Sequence, residues 1–497
     1  MATLLIRGVR HSGQGLPWLI MLFAVFVALF LGLVPVFLPW FVLIPLLVVP
    51  LFIGAAWWRP EYAMAIMITV VSGLLPDFLL PRLPFFGGTL RAQDIFLLFV
   101  ALICVFKHFG HFKRWWPGIQ PFAAPLAALL LVVAFNVVYS KLIRGNPTSG
   151  IIEELRPFVF FSLPLWLAMM VDRPAVLKRL MWALMAGATL LALAQIVQAT
   201  SGLPIVHGGR LEEATIGQVS IADVIRSTVP GIYFIIFALL LMVARYLAGR
   251  QGLLVVAILG ALFTGALLFT FGRALWGATA VGLFLVAWSF GGLRALRLLI
   301  VLAVVGIMAL GTLSVFKPRS AETMLDRALS ITEEGASRTS LGWRIDENRM
   351  AWAHIRQQPL LGIGLGGSYK PVAYERGWQG ESRITHNSHV FIQLKLGFIG
   401  TGVLAWLLWV YWRQAGRLLQ PLPRDDVRRP LLVTARVPLP LVLLTANIRP
   451  EWNEPATVAV LSLAIGLLAV LGNLGLLDTG PESVKSAEAV PASRRWR

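Results

Sequence analysis

Long apolar runs, separated by short polar stretches, make up most of the chain. The stretch from Leu16 to Trp58, for example, contains no Lys, Arg, Asp or Glu. A helix that crosses a bilayer needs roughly 20 apolar residues, so this stretch is long enough for two helices. The runs lack the alternation of barrel strands, and helices satisfy their own backbone hydrogen bonds in lipid. The pattern therefore predicts an all-α polytopic membrane protein.

The apolar runs predict about twelve to fourteen transmembrane helices. These spans are expected at roughly residues 17–34, 36–57, 62–80, 92–106, 121–139, 157–171, 176–199, 229–248, 252–270, 274–290, 297–315, 387–411, 430–447 and 455–475. They divide the chain into helices 1–11 within residues 1–316, a large loop at 317–386, helices 12–14 within 387–476, and a tail at 477–497. The tail is rich in Ser, Ala, Pro and Glu, which predicts disorder.

Positive charges favour one orientation of these helices. The short loops on one side carry eighteen Lys and Arg, against nine on the other side, when the long loop and the tail are left out. Lys and Arg concentrate in the cytoplasmic loops of membrane proteins. We therefore expect both termini in the cytoplasm and the large loop on the outer face.

The loop at 317–386 holds ten Lys or Arg and is the longest polar segment. Its stretch Arg344–Gln357 has helical composition, Pro359 ends that helix, and the sequence GIGLGG follows. The apolar side of this helix would comprise Ile345, Met350, Trp352 and Ile355. Loops of this length are usually functional or disordered. We expect this loop to contain short helices that pack on the membrane domain.

Composition narrows the possible chemistry. The chain is 58% hydrophobic and only 13% charged, whereas a soluble protein carries about a quarter charged residues. The net charge is +19, but the basic residues form short clusters between apolar runs, which argues against a nucleic-acid partner. Cys104 is the single cysteine, so no internal disulfide or cysteine metal cluster is possible. The acidic residues of the long loop lack metal-ligand spacing, and we expect neither a metal nor a cofactor.

Polar residues crowd the entry to the twelfth predicted span. The chain there reads Thr385, His386, Asn387, Ser388 and His389. A neutral imidazole at such a position can serve as a general base near neutral pH. The alternative interpretation is that these side chains only anchor the helix at the interface.

Arginines lie at the outer ends of predicted helices. Arg273 follows an apolar run directly in FTFGRALWG, and Arg210 and Arg226 lie in the loop before the eighth span. The planar guanidinium suits phosphate, although contact with lipid headgroups by snorkelling is the alternative for each. Inside the twelfth and thirteenth predicted spans, Lys395 and Arg436 are further candidates, because intramembrane charges are often functional. Lys395 is expected to pair with a lipid or with a nearby acid.

The segment HNSHVFIQLKLGFIG, which begins at His386, resembles the signature of the bacterial O-antigen ligase and polymerase superfamily. Two other elements agree with this resemblance. RIDENRMAWAHIRQQPLLGIGLG, from Arg344, resembles the Arg-helix-Pro-Leu-Xaa-Gly-Xaa-Gly element of the family. FTFGRALWG resembles its Ser-Arg-Gly element, with Gly272 in place of Ser and Ala274 in place of Gly. The motifs lie between about residues 200 and 411, and the layout of the whole chain is similar.

The resemblance implies a GT-C type glycosyltransferase in the bacterial inner membrane, with its active site facing the periplasm. The donor would be an oligosaccharide on undecaprenyl pyrophosphate, and the acceptor a hydroxyl of a glycan or of lipid A-core. Transfer would invert the anomeric carbon without a metal or cofactor. His386 would be the catalytic base, and Arg273 would hold the donor pyrophosphate. Further phosphate-binding candidates are Arg226, Arg210, Arg344 and Asn387.

The resemblance leaves two choices open. It does not decide which of Arg210 and Arg226 binds phosphate. It also does not decide whether the protein is a ligase or a polymerase, although the short distance from the Arg344 helix to GIGLGG favours a polymerase.

Two alternative functions come from other classes of protein. A transporter or lipid flippase would place ionisable residues at mid-membrane depth and use paired broken helices. A structural scaffold would need neither His386 nor Arg273.

Overall fold

The computed structural model describes residues 54, 56–75, 82–85, 87–216, 219–291, 318–329, 340–369 and 382–478, with isolated positions between 296 and 315. The spans predicted at 17–34 and 297–315 lie outside the described residues, apart from those isolated positions. So do most of the span at 36–57 and nearly all of the tail at 477–497.

Within these ranges the chain forms fifteen α-helices and two β-hairpins. The helices are α1 Pro60–Val71, α2 Ala92–His108, α3 Phe112–Val138, α4 Thr148–Val159, α5 Leu163–Met170, α6 Pro174–Ser201, α7 Ile232–Leu247, α8 Leu253–Leu268, α9 Arg273–Phe290, α10 Pro318–Leu329, α11 Ser340–Gln357, α12 Ser388–Leu419, α13 Arg429–Arg436, α14 Pro438–Thr445 and α15 Pro455–Asp478. The antiparallel hairpins pair β1 Arg82–Phe85 with β2 Gly88–Arg91, and β3 Arg210–Ile216 with β4 Val219–Thr228. The apolar pattern did not predict either hairpin.

Among the described residues, five helical segments are long and apolar enough to cross a bilayer. They are Ala92–Ile143, Pro174–Ser201, Arg273–Phe290, Ser388–Leu419 and Pro455–Leu474. The shorter helices α1, α7 and α8 are also apolar. The prediction of an all-α polytopic membrane protein is confirmed.

Two helices, α7 and α15, form the centre of the described bundle. Nearly every residue of α7 is buried, and 94% of the most apolar stretch of α15 is buried. A helix that is apolar on all sides can be covered by other helices or by lipid, and α15 is covered by helices because it packs against α3, α5 and α7. Outer helices instead expose large apolar side chains such as Leu131, Trp182 and Trp288, as expected for surfaces that face lipid.

Several predicted spans have different boundaries in the structure: α3 begins at Phe112 rather than near residue 121, and α12 ends at Leu419 rather than near residue 411. The span predicted at 62–80 is too long, because α1 ends at Val71 and Gly73 follows with a φ of 101°, which a helix cannot continue. The span predicted at 157–171 is wrong in its start, because the helical segment begins at Thr148 with α4 and continues through a short 3-10 turn into α5.

The long helix α12 is broken at Gly397, which has a φ of 64°. The backbone there bonds to the chain that follows α11: Phe398 N donates to Pro359 O at 2.8 Å, and Ile363 N donates to Leu394 O at 2.8 Å. The two chains approach so closely that a Cβ on Gly397 would lie 2.2 Å from Leu360 O. Glycine is required here by both the left-handed φ and the close approach.

The GIGLGG segment is held by polar side chains from α3, from α4 and from the loop between them. Leu365 N donates to Asn136 Oδ1 at 3.0 Å, and Gly366 N donates to Glu154 Oε2 at 2.7 Å. Asn146 Nδ2 donates to the carbonyl oxygens of Ile363 and Leu365 at 3.1 and 2.9 Å. Buried backbone groups need such partners, so these side chains set the position of the loop on the bundle.

The helix predicted at Arg344–Gln357 lies within α11, but its predicted apolar side is partly wrong. Ala351 and Ile355 are buried against Val390 and Leu394 of α12, whereas Ile345 and Trp352 are exposed, at 54% and 41%. The buried face of α11 instead follows the four-residue spacing of a helix through Glu347, Ala351 and Ile355. The helix is therefore rotated about its axis relative to the prediction, so that Glu347 is buried and Ile345 is exposed.

Candidate active site

His386 forms a close pair with Glu347 of α11. The backbone N–H of His386 donates to Glu347 Oε2 at 2.8 Å, and His386 Nδ1 lies 3.0 Å from the same oxygen. Because an ionised carboxylate only accepts hydrogen bonds, Nδ1 carries the proton. Nε2 is then the unprotonated ring nitrogen, able to accept a proton. The His386 side chain is 31% exposed, while that of Glu347 is 2% exposed.

Asn387 is the N-cap of α12 and directly follows His386. Asn387 Oδ1 accepts from His389 N at 3.0 Å and from Val390 N at 3.1 Å, which is an N-cap. His389 Nε2 lies 3.3 Å from Leu443 O. The structure therefore gives Asn387 and His389 anchoring contacts, and His386 alone of the two histidines is paired with a carboxylate in the described part of the chain.

Tyr369 is a close neighbour of Glu347, the partner of His386. Its backbone pairs with Ser382, and its hydroxyl donates to Ile384 O at 3.2 Å. Burial and the neighbouring Glu347 carboxylate raise the pKa of Tyr369. This tyrosine therefore stays neutral and ties the segment that leads into His386 to the end of the GIGLGG loop.

Arg226 lies on the β3–β4 hairpin, opposite Glu212 and diagonal to Arg210. In this antiparallel register Arg226 pairs with Glu212 and Thr228 with Arg210, so the four side chains share one face of the hairpin. Burial lowers the pKa of Arg226, and the positive charges of Arg449, Arg210 and Arg344 lower it further, although Glu212 opposes them. These arginines therefore belong to one positively charged cluster.

The loop before Arg273 is bound to this cluster and is strained. Arg226 Nε donates to Thr270 O at 3.0 Å, and Arg273 is the first residue of α9, three positions later. Phe271, between them, is the one described non-glycine residue with a positive φ, at 48°. Such a conformation costs about 1–3 kcal/mol, and it persists here because Phe271 is buried with Val224 and with Met324 of α10.

Arg344 and Arg449 complete the cluster from two other elements. Arg344 stands one helical turn before Glu347 on α11, and its buried Nε has no hydrogen-bond partner in the described part of the chain. Burial and the charge of Arg449 lower the pKa of Arg344, and Glu347 raises it. Arg449 Nε donates to Glu451 at 2.9 Å, and its carbonyl accepts from Ser388 Oγ at 2.6 Å, two residues after His386.

Sequence reasoning missed two of these residues. Glu347 stood among the acidic residues of the large loop without metal-ligand spacing, and Arg449 was counted only as a charge in a short loop. The signal for Glu347 was present, since it lies three residues after Arg344 in the motif that precedes His386. The signal for Arg449 was absent, because no motif surrounds it.

Lys395 forms an ion pair inside the bundle, away from solvent. Its Nζ lies 2.8 Å from Glu154 Oε1 and donates also to Gly367 O, and both side chains are fully or almost fully buried. The prediction that Lys395 pairs with a nearby acid agrees with this contact. Arg436 ends α13, where its guanidinium carbon lies 3.9 Å from the centre of the Trp412 ring.

The arrangement combines one base, held in position by a carboxylate, with a group of arginines that attract an anion. Arginine side chains bind phosphate through two parallel charge-assisted hydrogen bonds. A carboxylate that holds Nδ1–H of an imidazole stabilises the imidazolium formed when Nε2 takes a proton. Such a site is suited to the transfer of a group from a phosphorylated donor to a hydroxyl. Among the described residues, no three His, Cys, Asp or Glu side chains form a group that could hold a metal ion.

A protein with these membrane helices and this site is a multi-pass membrane protein with features of a group-transfer enzyme. Residues 257–405 match the family model described as O-antigen ligase, a segment that contains Arg273, Arg344, Glu347 and His386. This match supports the O-antigen ligase and polymerase superfamily, and it confirms the predicted resemblance over residues 257–405. The family indicates glycan transfer of the ligase or polymerase type. No curated protein matches the chain.

Proposed function

We propose that the protein transfers an oligosaccharide from undecaprenyl pyrophosphate to an acceptor hydroxyl on the periplasmic face of the bacterial inner membrane. The observation that carries this proposal is the His386–Glu347 pair beside the arginine cluster. The charge bias of the short loops supports the periplasmic position of these residues. The absence of a nucleotide-binding loop in the sequence agrees with a lipid-linked donor.

In this proposal the acceptor hydroxyl gives its proton to His386 Nε2. The acceptor oxygen attacks the anomeric carbon of the donor sugar, and the bond from that carbon to the pyrophosphate oxygen breaks. A single displacement of this kind inverts the anomeric configuration. Glu347 stabilises the imidazolium that results, because a carboxylate favours the charged form of a neighbouring histidine.

The arginines would bind the pyrophosphate and stabilise the charge that it gains as it leaves. Arg226, Arg344 and Arg449 carry this role, with Arg273 at the start of α9 and Arg210 on the hairpin next to them. Between the two open candidates, Arg226 has the stronger support, because it is the one bonded to the loop of Arg273. Preorganised cations of this kind supply a large share of the rate enhancement in many enzymes. Pyrophosphate is a good leaving group, so we propose that the reaction proceeds without a metal ion.

The acceptor would be a growing polysaccharide or a lipid A-core glycan. We favour the polymerase, on the grounds of the short connection between α11 and the GIGLGG segment. Asn387 is proposed to assist through its N-cap, by holding His386 in place at the start of α12.

The test is the substitution His386→Ala in the full-length protein. Removal of a general base typically lowers the rate by about 10²–10⁴-fold. We expect lipid-linked oligosaccharide to accumulate and surface polysaccharide to disappear. The matched control is His389→Ala, which removes a histidine from the same helix end and should keep activity within about twofold, because general-base catalysis does not involve it.

The readouts are the amounts of lipid-linked and transferred glycan, with membrane insertion checked for both variants. Normal surface polysaccharide in a well-inserted His386→Ala variant would contradict the proposal. Equal loss in both variants would point to damage at the start of α12 and would also count against a catalytic role for His386.

A further inference from the structure

A cavity of about 260 Å³ lies at the end of α12 that is farthest from His386. Its lining comes from the end of α9, the end of α12 and both ends of α13, and comprises Ser289, Gly416, Leu419, Gln420, Arg429 and Arg436. Beyond its break at Gly397, α12 continues to Leu419, a distance of roughly 33 Å at about 1.5 Å per residue. That part alone is about as long as the hydrocarbon core of a bilayer is thick, about 30 Å. The cavity is therefore separate from the candidate active site and lies near the opposite membrane face.

Two arginines line this cavity, and neither has an acidic partner among the residues that the structure describes. In the part of the chain that the structure describes, neither Arg429 nor Arg436 forms an ion pair with a carboxylate, and each has a buried Nε with no hydrogen-bond partner. An unpaired buried polar group is unfavourable, and a charged one more so. Two such cations beside one cavity are the arrangement expected when an anion completes their hydrogen bonds.

The contacts of each guanidinium hold it in place. Arg429 donates from its two terminal nitrogens to Leu422 O at 2.7 Å and to Ser289 O at 2.9 Å. Arg436 lies with its guanidinium carbon 3.9 Å from the ring centre of Trp412. A stacked arginine keeps the edge of its fork available for bidentate contacts. The side chain of Gln420 supplies a further hydrogen-bonding group to the cavity, and Leu419 supplies an apolar wall.

We propose that this cavity is a binding site for a phosphate-bearing anion, at the membrane face opposite the candidate active site. Two guanidinium groups match the charge and the planar hydrogen-bonding geometry of a phosphate or phosphodiester. The ligand is either the headgroup of an anionic phospholipid or a free phosphate, since both present the same oxygens. The proposal does not depend on the glycan-transfer reaction.

Binding is tested with the purified, delipidated full-length protein in detergent. The probes are dioctanoyl phosphatidylglycerol, dioctanoylglycerol, which lacks the phosphate, and inorganic phosphate. Native mass spectrometry counts bound molecules, and thermal unfolding reports stabilisation. We expect phosphatidylglycerol or inorganic phosphate to bind and to raise the melting temperature, and dioctanoylglycerol to do neither.

Two variants remove the site in different ways. Arg436→Gln removes one cation, whereas Gly416→Leu keeps both charges and fills the cavity, where a Cβ on Gly416 meets no atom within 4 Å. Each substitution should weaken binding at least about tenfold, which corresponds to a loss of ~1.4 kcal/mol in binding free energy. Arg417→Gln is the matched control, because Arg417 is an exposed neighbour on α12 that does not line the cavity. Its affinity should stay within about twofold of the unaltered protein.

The two sources of phosphate are separated by the probes. Binding of inorganic phosphate that the two variants abolish would identify a free anion, and selective binding of phosphatidylglycerol would identify a lipid headgroup. Unchanged affinity in both Arg436→Gln and Gly416→Leu would overturn the proposal. So would equal binding of dioctanoylglycerol, or an equal loss in Arg417→Gln. If Arg436→Gln fails to fold, Gly416→Leu decides the question alone.

Discussion

Two carboxylates of this protein each hold a basic side chain from the same stretch of chain, but the two pairs differ in their surroundings. Glu347 binds His386 just before α12 begins, and Glu154 binds Lys395 within α12. The imidazole of His386 is 31% exposed, whereas Lys395 is 0% exposed and donates also to the backbone of Gly367. The first pair lies partly exposed at the start of α12, whereas the second is enclosed by protein.

The comparison shows that an ionisable residue in a membrane helix is not by itself a sign of catalysis. Lys395 stabilises the GIGLGG loop, because the same Glu154 that pairs with it also accepts from Gly366 N. His386 has Nδ1 held by a buried carboxylate, and its side chain is partly exposed. Exposure, rather than charge alone, distinguishes the candidate base from the structural cation.

Lys395→Met should produce the largest effect on stability. Removing one partner of a buried ion pair costs about 3–5 kcal/mol, because it leaves the other charge buried and uncompensated. We expect a large fall in the melting temperature of the purified protein and poor insertion. The double variant Glu154→Gln with Lys395→Met should recover much of the loss, since Gln still accepts from Gly366 N. A stable single variant that loses only transfer activity would break the comparison.

Glu347→Gln should lower kcat by about a hundredfold, equivalent to ~2.7 kcal/mol, and leave KM for the lipid-linked donor nearly unchanged. The reason is that Glu347 acts through His386, as a positioning residue, and does not touch the donor phosphate. Glu347→Asp should recover part of the rate. The measurement is transfer by purified protein over a range of donor concentrations. A rise in KM with constant kcat would show that Glu347 serves donor binding instead.

Arg344→Gln should lower kcat/KM by about tenfold to a hundredfold, as expected for one lost charge-assisted hydrogen bond of about 1.5–3 kcal/mol. It sharpens the comparison because Arg344 and Glu347 share α11 but serve different partners. Arg349→Gln is the control, since Arg349 is exposed on the same helix. Equal effects of the two substitutions would indicate a general influence of surface charge.

Addition of EDTA should change the rate of transfer by less than about twofold, the smallest of the expected effects. The assay uses purified protein and lipid-linked donor, with the chelator added before the donor. Strong inhibition that a divalent cation reverses would show that His386 works beside a metal ion, and the assignment of charge stabilisation to the arginines would then be wrong.

Motifs with local signals were predictable, and partners from distant parts of the chain were not. His386 and the α11 helix were found because their spacing lies within one stretch of sequence. The kink at Gly397 was not predicted, since the requirement for glycine comes from the close approach of Leu360. The buried face of α11 was placed wrongly, because an apolar pattern gives no reason to bury Glu347.

The sequence by itself determined the membrane class, most spans within the described residues and the resemblance to the O-antigen ligase family, because long apolar runs and short motifs can be recognised within one stretch of sequence. Only the tertiary structure decided which acid pairs with which base. Glu347 and His386 are 39 residues apart, and Glu154 and Lys395 are 241 apart. Such contacts depend on how whole helices pack, and packing is set by the shapes of surfaces that no single stretch of sequence contains.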